Sequence, residues 1–143
     1  MPLVQTSARF SITPRQFYDM ITDFDALPGA ITGVESVEVL DATPDAWVVE
    51  HTIRVIKRLS YTLAFKGRPG ELLEWDQVEG PFKANSGRWL LEEDDDGFTS
   101  AHYELDLELG MFVPKAISKG LIANDLPRLM SDWDRAATER YGS

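Results

Sequence analysis

The sequence predicts an α+β fold in which a seven-stranded, curved antiparallel sheet surrounds a long C-terminal helix. Three observations predict it. Residues 35–109 carry a two-residue hydrophobic period broken by turn signals, the pattern of successive hairpins. A separate strand pattern opens the chain at 3–10, ahead of a well-capped helix. Near the end, Ile122, Leu126, Leu129, Trp133 and Ala136 or Ala137 recur at helical spacing. That last element is the only one large enough to cover the apolar face of such a sheet.

Each element has a local cause. Residues 3–10 form the first strand. Ile12-Thr13-Pro14-Arg15-Gln16-Phe17 is a helix start. Thr13 can cap it, and Gln16, three residues on, can bond back to the cap. Pro14 takes the first helical position, where its missing N–H is not needed. Ile12 and Phe17 have the spacing of a hydrophobic staple. This helix should run to about Thr22 and bury Phe17, Ile21 and Phe24. Residues 23–29 should end it, because Leu27 precedes Pro28 and is biased away from helix. A loop or short helix follows at 29–34.

Strands are then expected at 35–40, 47–56, 59–66, 71–78, 84–93 and 98–109. Connections fall at 41–45, Lys57-Arg58, Gly67-Arg68-Pro69-Gly70, Glu79-Gly80-Pro81 and Asp96-Gly97. Strands joined by hairpins pair antiparallel. Segment 59–66 places Leu59, Tyr61, Leu63 and Phe65 on one face and Ser60, Thr62, Ala64 and Lys66 on the other. Segment 98–109 alternates Thr99, Ala101, Tyr103, Leu105, Leu107 and Leu109 with His102, Glu104, Asp106 and Glu108. Pro114 suits the start of the terminal helix. Pro127 lies inside that helix, and its missing N–H and steric clash predict a kink or break. Gly142 is a suitable stop.

Size and composition bound the functional classes. A chain of 143 residues is expected to form one domain, 1–143. Hydrophobic residues at 43% and charged residues at 27% are ordinary for a globular protein. No apolar run approaches the ~20 residues that span a bilayer, so stable membrane insertion is not expected. The first residues lack the charged and apolar regions of a signal peptide, and a cytoplasmic location is expected. The absence of cysteine excludes disulfides, thiolate metal sites and cysteine nucleophiles. A formal net charge of −10 opposes binding to nucleic acid through a basic face.

The order of elements resembles the START-like, helix-grip superfamily, and within it the polyketide cyclase/dehydrase and coenzyme Q-binding branch. The resemblance spans nearly the whole chain. It rests on Thr13-Pro14, Phe17, Ile21, Asp23 and Leu27-Pro28, then on the strand Val34-Glu35-Ser36-Val37-Glu38-Val39-Leu40. Trp75, Glu79-Gly80-Pro81-Phe82, Gly87-Arg88-Trp89, Asp96-Gly97-Phe98-Thr99, Tyr103-Glu104-Leu105 and Val113-Pro114 continue it. It implies a cavity between sheet and helix that takes apolar or amphipathic molecules such as lipids, quinones or polyketides. Some relatives only bind or carry, and others close rings or dehydrate.

The residues suited to such a site follow from strand parity. On 47–56, Trp47, Val49, His51, Ile53 and Val55 share the more apolar face, so His51 points inward. A buried imidazole can orient a ligand carbonyl or act as a general base; it can equally be a core histidine bonded to a neighbour. Tyr61 and Tyr103 fall on inner faces, where their hydroxyls can meet a ligand oxygen or simply pack. Phe65, Trp75 and Trp89 are wall residues of a cavity or of a plain core. Met111, Phe112, Ile117 and Leu121 can form its mouth, or be plain packing as Met and aromatic stripes more often are. Gln77 is a weaker polar candidate, and parity turns Arg54 outward. His51 is the one candidate for catalysis.

Metal and cofactor chemistry find no foothold. His51 and His102 lie on opposite sheet faces and make no zinc pair. Glu92-Glu93-Asp94-Asp95-Asp96 lacks the spacing of a calcium loop and reads as a charged hairpin tip. No phosphate loop, dinucleotide fingerprint or Gly-x-Ser-x-Gly is present, and no cofactor is expected. The expected partner is an apolar or amphipathic small molecule, and the oligomeric state stays open. Three functions compete: a binder or carrier of that molecule, a polyketide cyclase/dehydratase using His51 with Tyr61 or Tyr103, and a module acting through its outer surface.

Overall fold

A computed structural model describes residues 3–54, 58–108 and 126–142. In chain order they form β1 (Leu3–Phe10), α1 (Pro14–Ile21), a 3-10 turn (Phe24–Ala26), α2 (Leu27–Ala30) and β2 (Val34–Thr43). Then come β3 (Ala46–Arg54), β4 (Arg58–Arg68), β5 (Leu72–Glu79), β6 (Ala84–Glu93), β7 (Thr99–Glu108) and α3 (Leu126–Tyr141). The seven strands make one sheet in the order β1-β7-β6-β5-β4-β3-β2, antiparallel throughout. The first two strands in sequence thus stand at opposite edges.

The start of α1 is built as its residues dictate. The Thr13 hydroxyl oxygen accepts the Gln16 backbone N–H at 3.1 Å, and the Gln16 side-chain oxygen accepts the Thr13 N–H at 2.9 Å. These reciprocal bonds satisfy two donors that a helix start would otherwise leave free. Ile12 and Phe17 are both fully buried, as a staple requires. At the far end of the chain Gly142 adopts φ +74° and its N–H bonds the Thr138 carbonyl at 2.8 Å, ending α3 in the left-handed conformation that glycine tolerates.

Three connections differ from expectation. The turn expected at 41–45 shrinks to Pro44-Asp45, because Asp41–Thr43 continue β2 opposite Val48–Ala46. β4 extends through Gly67 and Arg68, which pair with Leu73 and Leu72. Arg58, expected in a connection, already pairs with Arg54 as the first residue of β4. Polar and glycine residues thus sit inside strands where partner strands supply the ladder bonds. Leu27 also departs from the bias of a residue before proline. It is helical at φ −59°, ψ −44°, and Pro28 occupies the first turn of α2, where no N–H is required. Residues 109–125, including Pro114, lie outside the described residues, as does the chain leading into Pro127, where a kink is expected.

The core lies on the inner sheet face. Phe10, Val49, Leu63, Phe65, Leu73, Trp75, Trp89, Leu91, Ala101 and Tyr103 from six strands share one buried cluster with Phe17 and Ile21 of α1 and Trp133 and Ala137 of α3. Polar bonds then fix α3 at the open edge. The Asp132 carboxylate, only 3% exposed, accepts the Thr32 N–H at 2.8 Å. Arg135 donates to the Ala30 carbonyl at 3.0 Å, and Arg140 pairs with Asp23 at 2.9 Å. The Tyr141 hydroxyl donates to the Gln16 carbonyl at 3.0 Å.

The acidic stretch at 92–96 is a hairpin tip, as its spacing suggested. One Asp94 carboxylate oxygen accepts the N–H groups of Asp96 and Phe98 at 2.9 and 3.0 Å, and the other takes Arg9 at 2.6 Å. No cluster of three or more metal-ligating side chains occurs among the described residues. Among them, too, no helix is long and apolar enough to cross a membrane.

Candidate functional site

Strand register brings the inner residues into lateral rows. Trp47, Phe65, Trp75, Gly87, Leu105 and Val4 follow one another across β3, β4, β5, β6, β7 and β1. Gly87 is the gap in that row, and the Trp75 indole lies over it. A Cβ at position 87 would stand 2.6 Å from Trp75 Cζ2 and would collide with the backbone carbonyl of Glu104. Without a side chain at 87 the indole can lie down along the sheet, which leaves room above it.

That room is a pocket of about 220 Å³ between the inner sheet face, the α1–α2 segment and α3. Its deep wall is aromatic. Ring centroids of Trp89 and Tyr103 are 4.7 Å apart, Tyr103 and Trp75 5.7 Å, Trp75 and Phe65 5.9 Å, and Phe65 and His51 5.9 Å. The Ile31-Thr32-Gly33-Val34 segment lines one side. Asp132 holds this segment to α3 through Thr32, so the same buried carboxylate that anchors the helix also positions the pocket wall.

Apart from Arg54 at the rim, the polar groups among the described lining residues are few and neutral. His51 and Tyr61 are direct cross-strand partners on β3 and β4, and their rings stack 5.3 Å apart with planes 14° from parallel. Burial lowers the His51 pKa to about 4, opposed in part by the nearby Val49 backbone, so the imidazole is neutral at pH 7. Its Nδ1 is buried without a hydrogen-bond partner among the described residues. Burial pushes the Tyr61 phenol up to about 12, and raises that of Tyr103 further, with Tyr61 adding to the effect. Both phenols therefore present intact O–H donors. Asn85, 6% exposed, adds an amide on β6.

Of the residues singled out from sequence, His51, Tyr61, Phe65, Trp75, Trp89 and Tyr103 all border this pocket. Met111, Phe112, Ile117 and Leu121 lie outside the described residues. Gln77 is not part of the lining; its amide donates to the Phe82 carbonyl at 2.7 Å and braces the β5–β6 connection. Arg54 sits at the rim with its side chain 64% exposed, as parity indicated. His102 is on the outer face, 2.8 Å from the Ser7 hydroxyl. Sequence reasoning did not assign Phe24, Phe82, Asn85, Leu129 and Trp133 to the site. The i, i+4 spacing of Leu129 and Trp133 is the signal that puts them on one helix face.

An antiparallel sheet gripping a C-terminal helix over an apolar, sparsely polar pocket defines the START-like, helix-grip class. The family model described as "Polyketide cyclase / dehydrase and lipid transport" matches residues 11–133, and the chain belongs to that family. No curated protein sequence matches it. Among solved structures, TTHA0849 from Thermus thermophilus superposes with a TM-score of 0.86 at 16% identity, covering 98% of this chain and 99% of that one. The Zhui aromatase/cyclase from Streptomyces sp. R1128 gives 0.80 at 15% identity, over 99% and 98% of the two chains. A START superfamily protein from Mycobacterium smegmatis gives 0.81 at 16% identity, over 96% and 98%. At these identities the likeness is one of fold.

Proposed function

We propose that this protein binds or carries an apolar or amphipathic small molecule of the lipid, quinone or polyketide kind in the pocket between sheet and α3. The observation that carries this reading is a pocket of about 220 Å³ walled by aromatic rings, with a handful of neutral polar groups placed to orient a ligand. Membership of a family described by both cyclisation and lipid transport is consistent with it.

A second reading, a cyclase or dehydratase, is favoured by the stacking of His51 on Tyr61. Proton abstraction beside a carbonyl needs a base and an oxygen-stabilising donor, and these two residues supply both types. The weight falls on binding because an imidazole of pKa about 4 is a weak base at neutral pH, and no carboxylate bonds its buried Nδ1 among the described residues. General bases work best with pKa values near the working pH.

Native mass spectrometry of the freshly purified protein, followed by organic extraction, tests the reading. The expected result is a fraction above the 16.1 kDa chain mass that releases an apolar compound on extraction. A ligand-free mass, together with turnover of a polyketide-like substrate that is lost in His51→Ala, would replace binding with catalysis.

A further inference from the structure

We infer that this pocket selects uncharged ligands, molecules that offer it carbonyl or hydroxyl oxygens, and rejects carboxylates, phosphates and ammonium ions. The inference rests on the binding reading above and narrows it to a chemical class.

The argument is one of missing counter-ions. Among the described lining residues Arg54 alone bears a charge, and its guanidinium is turned to solvent. It is already engaged: its Nη1 lies 3.7 Å from a Glu35 oxygen, and the other oxygen of that carboxylate takes Arg58 at 2.7 Å. The buried Asp132 carboxylate is not on the lining. One of its oxygens accepts the Thr32 N–H at 2.8 Å and the other stands 3.4 Å from Arg135. Among the described lining residues, His51, Tyr61, Tyr103, Asn85 and Thr32, with the indoles of Trp75 and Trp89, have side chains that can hydrogen-bond without carrying charge.

A neutral carbonyl loses water on entering and finds phenol and amide donors in exchange. A carboxylate loses far more solvation and, among the described lining residues, finds no cation inside the pocket, so it would be buried unpaired. An ammonium group meets the same difficulty, since no carboxylate lines the pocket among the described residues. The net charge of −10 further lowers the concentration of anions near the entrance.

A matched pair of probes isolates the effect. 2-Acetylnaphthalene and 2-naphthoate share a ring system and a number of non-hydrogen atoms, but only the second is charged at neutral pH. Equilibrium dialysis of the full chain, stripped of any co-purified molecule, against each probe should give at least about tenfold tighter binding of the ketone. Equal or tighter binding of naphthoate would overturn the selectivity while leaving the binding function standing. Failure of both probes to bind, at concentrations where neither self-associates, would overturn the binding reading itself.

Discussion

His51 is held neutral by burial, and that has a consequence for stability. The unfolded side chain titrates near 6.5 and the folded one near 4. Above pH 6.5 both states are neutral and the residue contributes no pH dependence. Between 6.5 and 4 the unfolded chain takes up a proton that the folded chain refuses, so stability falls as pH falls. The full loss is roughly 3 kcal/mol, reached at the acid end of that window. His51→Phe keeps a ring against Tyr61 and removes the titration. Its thermal unfolding midpoint should fall less than that of the native protein on acidification from pH 7 toward 4; parallel curves would refute the assignment. Gly87 makes a second residue-scale case. Gly87→Ala drives a methyl group into Trp75 and the Glu104 carbonyl. The expected loss is about 1–3 kcal/mol in denaturant unfolding, together with a shift in tryptophan emission as the indole is displaced.

At the scale of elements, capping and anchoring are separable. Thr13→Ala removes the α1 cap and should lower stability by about 1 kcal/mol while leaving the pocket intact. Asp132→Ala orphans the Thr32 N–H and releases the pocket wall from α3. A loss of about 1–3 kcal/mol is expected, with accelerated hydrogen exchange at Thr32 that Thr13→Ala does not produce. The elements were legible in the sequence to different degrees. The α1 start was fully legible because its bonds join residues three apart. Strand faces were legible from parity, which is why His51, Tyr61 and Tyr103 could be placed inward. The ends of β2 and β4 were not, because Asp41–Thr43 and Gly67-Arg68 are strand only by virtue of neighbours distant in sequence. For the same reason Phe82 and Asn85 escaped notice as pocket residues: their place depends on how β6 registers against β7, which no local pattern records.

For the whole molecule, the pocket is lined by residues of both buried hydrophobic clusters, so occupancy and stability are linked. A ligand that binds only the folded state adds about 2.7 kcal/mol when present at about a hundredfold excess over its dissociation constant. The extracted protein should therefore melt below the freshly purified one, and adding back the extracted compound should restore the difference. An unchanged midpoint would mean that nothing of consequence had occupied the pocket. The sheet order carries one more implication. β1 is the first of the seven strands to be synthesised, yet its one neighbour among the described strands is β7, with Leu3 opposite Asp106. During translation this strand leaves the ribosome with its edges bare and waits until the other six have followed. The hairpins from β2 to β7 can zip in the order they emerge, but the edge that completes the sheet closes last. Only then do the outward side chains of that strand, Gln5, Ser7 and Arg9, meet Glu104, His102 and Asp94, their hydrogen-bond partners on and beside β7.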